Sequence, residues 1–224
     1  MKLAIFDYDG TLITIDTLPC LGREWKRQGR SRRRYLAAYV KVMPFFVLYK
    51  TRLISRERMK EKALAYYHVM YRGMSAEECD AFFNQAWPMM KPHFVPRMLE
   101  EIRKAKDEGF HTVLLSGAYA GLLRIIGGDL GMDTVIGAEM PFREGAVDHR
   151  RPVPFIDGRV KLALLKDRFA GETVDWSASR SYADSFSDLP VLEAVGEPAA
   201  VNPDPMLLNH ASSRGWRVIK ESSQ

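Results

Sequence analysis

Leu3-Ala4-Ile5-Phe6-Asp7-Tyr8-Asp9-Gly10-Thr11-Leu12 decides how this chain is read. Four apolar residues in unbroken succession predict a short strand buried on both faces, and a loop begins where they end. Two carboxylates follow at once. Extended chain alternates its side chains, so Asp7 and Asp9 project to one side with a gap between them. Two acids at the end of a core strand call for a cation or for chemistry that uses them. Beside a Gly10-Thr11 turn, the pair suggests a nucleophile, a proton carrier and a phosphate-sized, metal-assisted site.

Outward from this stretch, the composition is that of an ordinary globular protein: 224 residues, 46% hydrophobic and 27% charged. That length holds one large domain, or a core with a smaller insertion. Cys20 and Cys79 stand far apart and match no metal or redox spacing, which predicts two unpaired thiols and a reduced, cytoplasmic setting. With only Met1 and Lys2 before the first strand no secretory signal is expected, and the best membrane candidate, 35–49, is too short to span and contains Lys41 and Pro44.

The net charge of +5 is concentrated. From Arg23 to Arg34 seven basic residues face one acid, Glu24; a second group comprises Lys50, Arg52, Arg56, Arg58, Lys60 and Lys62, relieved by Glu57 and Glu61. Such a field attracts phosphates, anionic lipid or nucleic acid, although a solvated helix face has the same pattern.

The chain divides into three parts. Residues 1–13 form the first strand and loop. Residues 14–92 read as helical, their aromatics and methionines (Phe45, Tyr66, Phe82, Trp87 among them) expected to pack between helices. Beyond Pro92, helices and strands alternate: helices over 95–108, 120–130, 161–169 and 189–195, and strands over 112–115, 134–138, 179–183, 199–201 and 216–219. This alternation predicts a parallel α/β sheet, in which ligands gather at the carboxyl ends of the strands. Asp7, Ser116 and Asp184 each follow a predicted strand and should therefore converge.

Four elements then make chemical sense together. The Asp7/Asp9/Thr11 turn comes first. Ser116-Gly117 offers a hydroxyl and backbone N–H groups to an oxyanion. Lys161 is a point charge suited to phosphate. Asp184-Ser185-Phe186-Ser187-Asp188 adds a second acid pair, of which Asp188 also reads as a helix cap.

In these residues the chain resembles the haloacid dehalogenase superfamily, whose four hallmark motifs occur in order over nearly the whole chain. The similarity is greatest to subfamily IB, the phosphoserine-phosphatase-like branch, whose helical cap is inserted between the first two motifs. The resemblance implies a Rossmann-like α/β core (1–13 plus 93–224) carrying a C1-type helical cap (14–92). It implies that Asp7 attacks phosphorus to form an aspartyl-phosphate and that Asp9 serves as acid and then base. Thr11 would orient Asp9 or the phosphate, and Ser116, the Gly117 N–H and Lys161 would hold phosphoryl oxygens. Mg²⁺ would be bound by Asp7, the Asp9 backbone carbonyl and Asp184, with Asp188 fixing the metal's waters or Lys161 from outside the ligand set. Dehalogenation needs neither an acid for the departing halide nor a metal, so Asp9 with Asp184 favours phosphoryl transfer.

Departures from the pattern bear on substrate. The glutamate expected nine residues beyond the nucleophile to hold a substrate amine is Asp16 here. The arginine that should grip a substrate carboxylate has three candidates, Arg52, Arg56 and Arg58. Ala183 replaces the glycine common before the metal aspartate. The reading is a Mg²⁺-dependent phosphomonoester hydrolase acting on a small phosphate ester, phosphoserine or another amino-alcohol phosphate. Because an apolar segment (35–49) lies between two basic clusters, a peripheral enzyme resting on anionic membrane and acting on a lipid phosphate is the alternative. A nucleic-acid-binding protein would explain the basic clusters, but no reading motif accompanies them and no nucleic acid is expected.

Overall fold

The computed structural model describes residues 1–220. Strand β1 (Leu3–Phe6) is followed by four helices, α1 (Thr17–Arg27), α2 (Arg32–Lys50), α3 (Arg56–His68) and α4 (Ala76–Met90), which we take together as the cap. The chain then alternates: α5 (Pro96–Asp107), β2 (His111–Tyr119), α6 (Ala120–Leu130), β3 (Thr134–Ala138), a hairpin of β4 (Phe142–Arg143) and β5 (Ala146–Val147), and α7 (Gly158–Arg168). It finishes with β6 (Arg180–Ala183), α8 (Leu189–Leu192), β7 (Glu197–Val201), α9 (Pro205–Ser213) and β8 (Arg217–Ile219).

Six strands form one parallel sheet in the order β3-β2-β1-β6-β7-β8. The central strand is β1, because its four residues are apolar on both faces. Ala4 and Phe6 join the large core under α5 and α6, where Phe6 stacks on Tyr182 with ring centroids 4.7 Å apart. Leu3 and Ile5 join the opposite core with Leu165 and Phe169 from the α7 region and Val191 and Val195 around α8. Successive strands run outward from β1 to β3, and the chain then returns to the other side of β1 for β6 to β8. The strand order therefore reverses beside β1, and this switch point opens a crevice at the carboxyl edge. Phe6 pairs with Leu114 and Tyr182, so residue 7 emerges level with Leu115 of β2 and with the end of β6 at Ala183.

The cap is seated on this core through aromatic rings. Trp25, Tyr71 and Phe82 pack edge to face, and Tyr71 meets Tyr119 at the end of β2 with centroids 5.5 Å apart. These aromatics are packing residues, as helical stripes usually are. Cys20 and Cys79 are buried and unpaired. Among the described residues no helix is long and apolar enough to cross a membrane.

Three local details differ from the sequence reading. Strand β2 does not stop at Leu115 but continues to Tyr119, its register to β3 slipping between those residues, so Ser116 lies inside the strand and not after it. Helix α8 ends at Leu192 instead of Val195, because the Gly196 N–H is drawn to the Trp176 carbonyl (2.9 Å) and turns the chain into β7. The β4–β5 hairpin, closed by Glu144-Gly145, has strands of two residues each, too short for a periodic signal.

Candidate active site

Asp7 leaves β1 with its N–H bonded to the Tyr182 carbonyl (3.0 Å), which fixes its backbone to the sheet. The loop beyond folds back on itself: the Thr11, Leu12 and Ile13 N–H groups all donate to the Tyr8 carbonyl. Gly10 makes this turn at φ +84°, and a Cβ there would lie 2.4 Å from Asp184 Oδ2. Only glycine combines that backbone with that proximity.

Lys161 sits in the first turn of α7, which Asp157 caps by accepting from the Arg159 and Val160 N–H groups (3.0 Å each). Gly158 lets the start of this helix press against the Ser187 backbone, where a Cβ would be 1.8 Å from the carbonyl oxygen. That approach brings Lys161 Nζ to 2.8 Å from Asp7 Oδ1 and 2.8 Å from Asp188 Oδ1, with all three side chains about nine-tenths buried or more. Burial alone would lower the lysine's pKa, but the Asp188 and Asp7 carboxylates outweigh it and raise the value. Lys161 is therefore a fixed cation bridging two acids.

Asp184 completes the cluster at the end of β6. Ligand oxygens of Asp7, Asp184 and Asp188 lie within 4.8 Å of one another. Burial, with the Asp7 charge nearby, raises the Asp184 carboxyl to about 6, and burial raises Asp188 as well. Crowded hard oxygen donors that resist ionising together suit a small divalent cation such as Mg²⁺. The donor set therefore fits the metal that the sequence suggests.

Asp9 is held differently. Its Oδ1 accepts from the Thr17 N–H (3.0 Å) and the Thr17 hydroxyl (2.5 Å) at the start of α1. Burial is the main cause that raises its carboxyl to about 6; the neighbouring Asp7 and Asp16 add to it, while Lys60 and the Thr17 bond oppose it. A carboxyl poised there can give or take a proton near neutral pH.

Asp7, Asp9, Asp16, Ser116, Gly117, Lys161, Asp184 and Asp188 all border one cavity of about 440 Å³ between cap and core. Ser116 is buried, its Oγ accepting from the Ala118 N–H at 3.3 Å. Asp16 is an exposed residue at the rim, at the cap position of α1 but without a capping bond. Thr11 is not among the lining residues: it is wholly buried, its hydroxyl has no partner among the described residues, and Thr17 is the residue that bonds Asp9. A larger hollow of about 730 Å³ around Arg180 and Arg217 lies at the opposite edge of the sheet, where those arginines are already paired with Glu197, Glu108 and Glu101.

The family model of haloacid dehalogenase-like hydrolases matches residues 4–193, a span that includes Asp7, Asp9, Asp16, Ser116, Gly117, Lys161, Asp184 and Asp188. The chain belongs to that family. It is similar to the "Inhibition of morphological differentiation protein" of Streptomyces azureus, 26% identical over 96% of this chain and 77% of that protein. It is also similar to "Phosphoserine phosphatase SerB1" of Mycobacterium tuberculosis, 25% identical over 96% of this chain and 69% of that one. A crystal structure of a Bordetella pertussis protein of unknown function shares the fold with a TM-score of 0.80, 23% identity and 97% coverage of both chains.

Within this family member, the cap contributes what the core lacks. Of the three candidate arginines, only Arg56 reaches the site, donating from Nη1 to Asp184 Oδ2 at 3.1 Å. Arg52 lies in the turn after α2 at φ +61°, and Arg58 points outward to Glu61 at 2.6 Å. Lys60, one helical turn beyond Arg56, also borders the cavity and lowers the pKa of Asp9, Asp184 and Asp188. Sequence reasoning missed Lys60 and Thr17. The i, i+4 spacing of Arg56 and Lys60 was the available signal for the first; nothing in the sequence ties Thr17 to Asp9.

Proposed function

We propose that this chain is a Mg²⁺-dependent phosphomonoester hydrolase that works through an aspartyl-phosphate on Asp7. The observation that carries the reading is Asp7 itself: a strand-end carboxylate fixed by Lys161, facing a cavity, with a half-buried proton donor two residues away.

Lys161 leaves one Asp7 oxygen aimed and charged, and that oxygen attacks phosphorus as the P–O bond to the leaving group breaks. The departing alkoxide takes its proton from Asp9, which Thr17 holds in place. In the second half Asp9 removes a proton from water, the water oxygen bonds to phosphorus, and the Asp7–phosphate bond breaks to return the carboxylate. Ser116, the Gly117 N–H and Lys161 border the space where phosphoryl oxygens gather charge. Asp7, Asp184 and the Asp9 backbone carbonyl would hold Mg²⁺, with Asp188 anchoring Lys161. The bound cation supplies neutralisation of the phosphoryl charge and of the acid cluster.

The substrate is a small phosphate ester of the phosphoserine or amino-alcohol class. In support, Arg56 can meet a carboxylate, Asp16 at the rim can meet an amine, and a phosphoserine phosphatase is among the relatives. Hydrolysis of an aryl phosphate should fall to background in EDTA and return with excess Mg²⁺. Full activity in EDTA would remove the metal from the proposal. A screen over amino-alcohol, sugar and lipid phosphates by released phosphate then ranks leaving groups.

A further inference from the structure

Helix α2 buries one face and leaves a second apolar face in solvent. Ala38 is buried, and Val42 and Phe45 turn inward, Phe45 meeting Tyr66 of α3 with ring centroids 5.9 Å apart. On the outer side Leu36, Val40 and Val47 recur at i, i+4 and i+11, with the half-buried Met43 at i+7 between them, one stripe at 3.6 residues per turn. Leu36 is 58% exposed, Val40 59% and Val47 53%, with Tyr39 beside them and Leu53 just past the helix end. Single exposed apolar residues are commonplace, but a crest along about three turns of a nineteen-residue helix is a patch.

The two flanks of this crest differ. On one, Val42, Phe46 and Tyr49 wall the active-site cavity, and Phe46 is both cavity lining and 39% exposed. On the other lies a groove of about 390 Å³ with Arg33, Arg34, Lys41 and Arg72 around Tyr66. No carboxylate lines it, and none stands anywhere between Glu24 and Glu57. Arg34 is pinned by donating to the Arg72 carbonyl at 2.8 Å, so it is held by backbone and not by a counter-charge, while Lys41 Nζ lies 5.9 Å from the centre of the Tyr66 ring.

We propose that α2 docks this protein on an anionic phospholipid surface, the Leu36–Val47 crest entering the headgroup layer and the Arg33/Arg34/Lys41/Arg72 groove receiving an anionic headgroup. An apolar stripe flanked by cations is the pattern of a helix lying in a membrane interface. A second copy fits poorly: both ends of α2 are basic, so parallel and antiparallel pairings alike bring cations together with no acid to answer them. Nucleic acid would engage the groove but leaves the crest in water. Docking sets the cavity mouth beside the headgroups, where an amphiphilic phosphate would be presented. The docking claim rests on the outer surface of α2 and the groove beside it, and is independent of the phosphatase reading.

The test is sedimentation of the full chain with phosphatidylcholine vesicles, with and without phosphatidylglycerol, at low and high salt. Binding should require phosphatidylglycerol, weaken with salt and drop about fivefold for each cation neutralised at Arg33 or Lys41. It should be lost in Leu36→Glu/Val40→Glu/Val47→Glu, while hydrolysis of a soluble aryl phosphate and the circular dichroism spectrum stay unchanged. No sedimentation at low salt, or sedimentation that the crest substitutions leave intact, overturns the proposal. So does a dimer dissolved by those substitutions without vesicle binding, or RNA binding that outcompetes vesicles and ignores the crest. If the unsubstituted protein hydrolyses no phosphate ester, the vesicle result still stands, judged on folding by circular dichroism.

Discussion

Replacing Asp7 by asparagine should lower kcat on an aryl phosphate by about 10⁴-fold or more, because the amide oxygen cannot form and release a phosphoryl bond as the carboxylate does. The fold should survive. Asparagine still presents an oxygen to Lys161 Nζ, and Lys161 keeps its second partner, Asp188, at 2.8 Å. Removing one of three carboxylates whose oxygens lie within 4.8 Å also relieves repulsion, so the melting temperature should hold or rise. The checks are steady-state kinetics with and without added Mg²⁺ and a thermal melt of the same preparation. A variant that is inactive and unfolded would say nothing about chemistry, so the two are read together.

Lys161→Met should damage both activity and stability, and a second substitution should separate the two. Removing one partner of a buried ion pair leaves its acids uncompensated, at a cost of about 3–5 kcal/mol. Here two carboxylates, Asp7 and Asp188, lose the same cation. Turnover should fall about 10²–10³-fold as the charge beside the phosphoryl group disappears. Adding Asp188→Asn removes one stranded acid, so the double variant should recover much of the stability measured by urea denaturation and none of the turnover. Recovery of turnover in the double variant would mean that Lys161 serves only to neutralise Asp188.

How much of this was legible in the sequence depends on how local each cause is. The run Leu3–Phe6 announces a strand buried on both faces, and it is the sheet's central strand. Asp7, Asp184 and Lys161 were legible because each sits at a strand end or in the first turn of a helix, where the topology of a parallel sheet dictates convergence. Thr17, Arg56 and Lys60 were harder: their roles depend on how the cap is set on the core, which is decided by distant aromatic contacts such as Tyr71 with Tyr119. Ser116 shows the reverse. Its position was readable but its setting was not, since the slip between β2 and β3 that keeps it inside the strand leaves no local mark. The outer stripe of α2 was obscured because Leu36 and Val40 point outward while Ala38 and Val42 point inward, and a helix apolar on both sides has no clear periodicity.

The central claim is the covalent bond to Asp7, and Asp9→Asn exposes it most directly. An aryl leaving group departs without a proton, so the first half-reaction proceeds, whereas hydrolysis of the adduct has lost its base. On mixing with an aryl phosphate this variant should release a burst of phenol equal to the enzyme present. Acid-quenched protein should then carry a hydroxylamine-labile phosphoryl group on the peptide containing Asp7. Continued turnover with neither burst nor adduct would contradict the account.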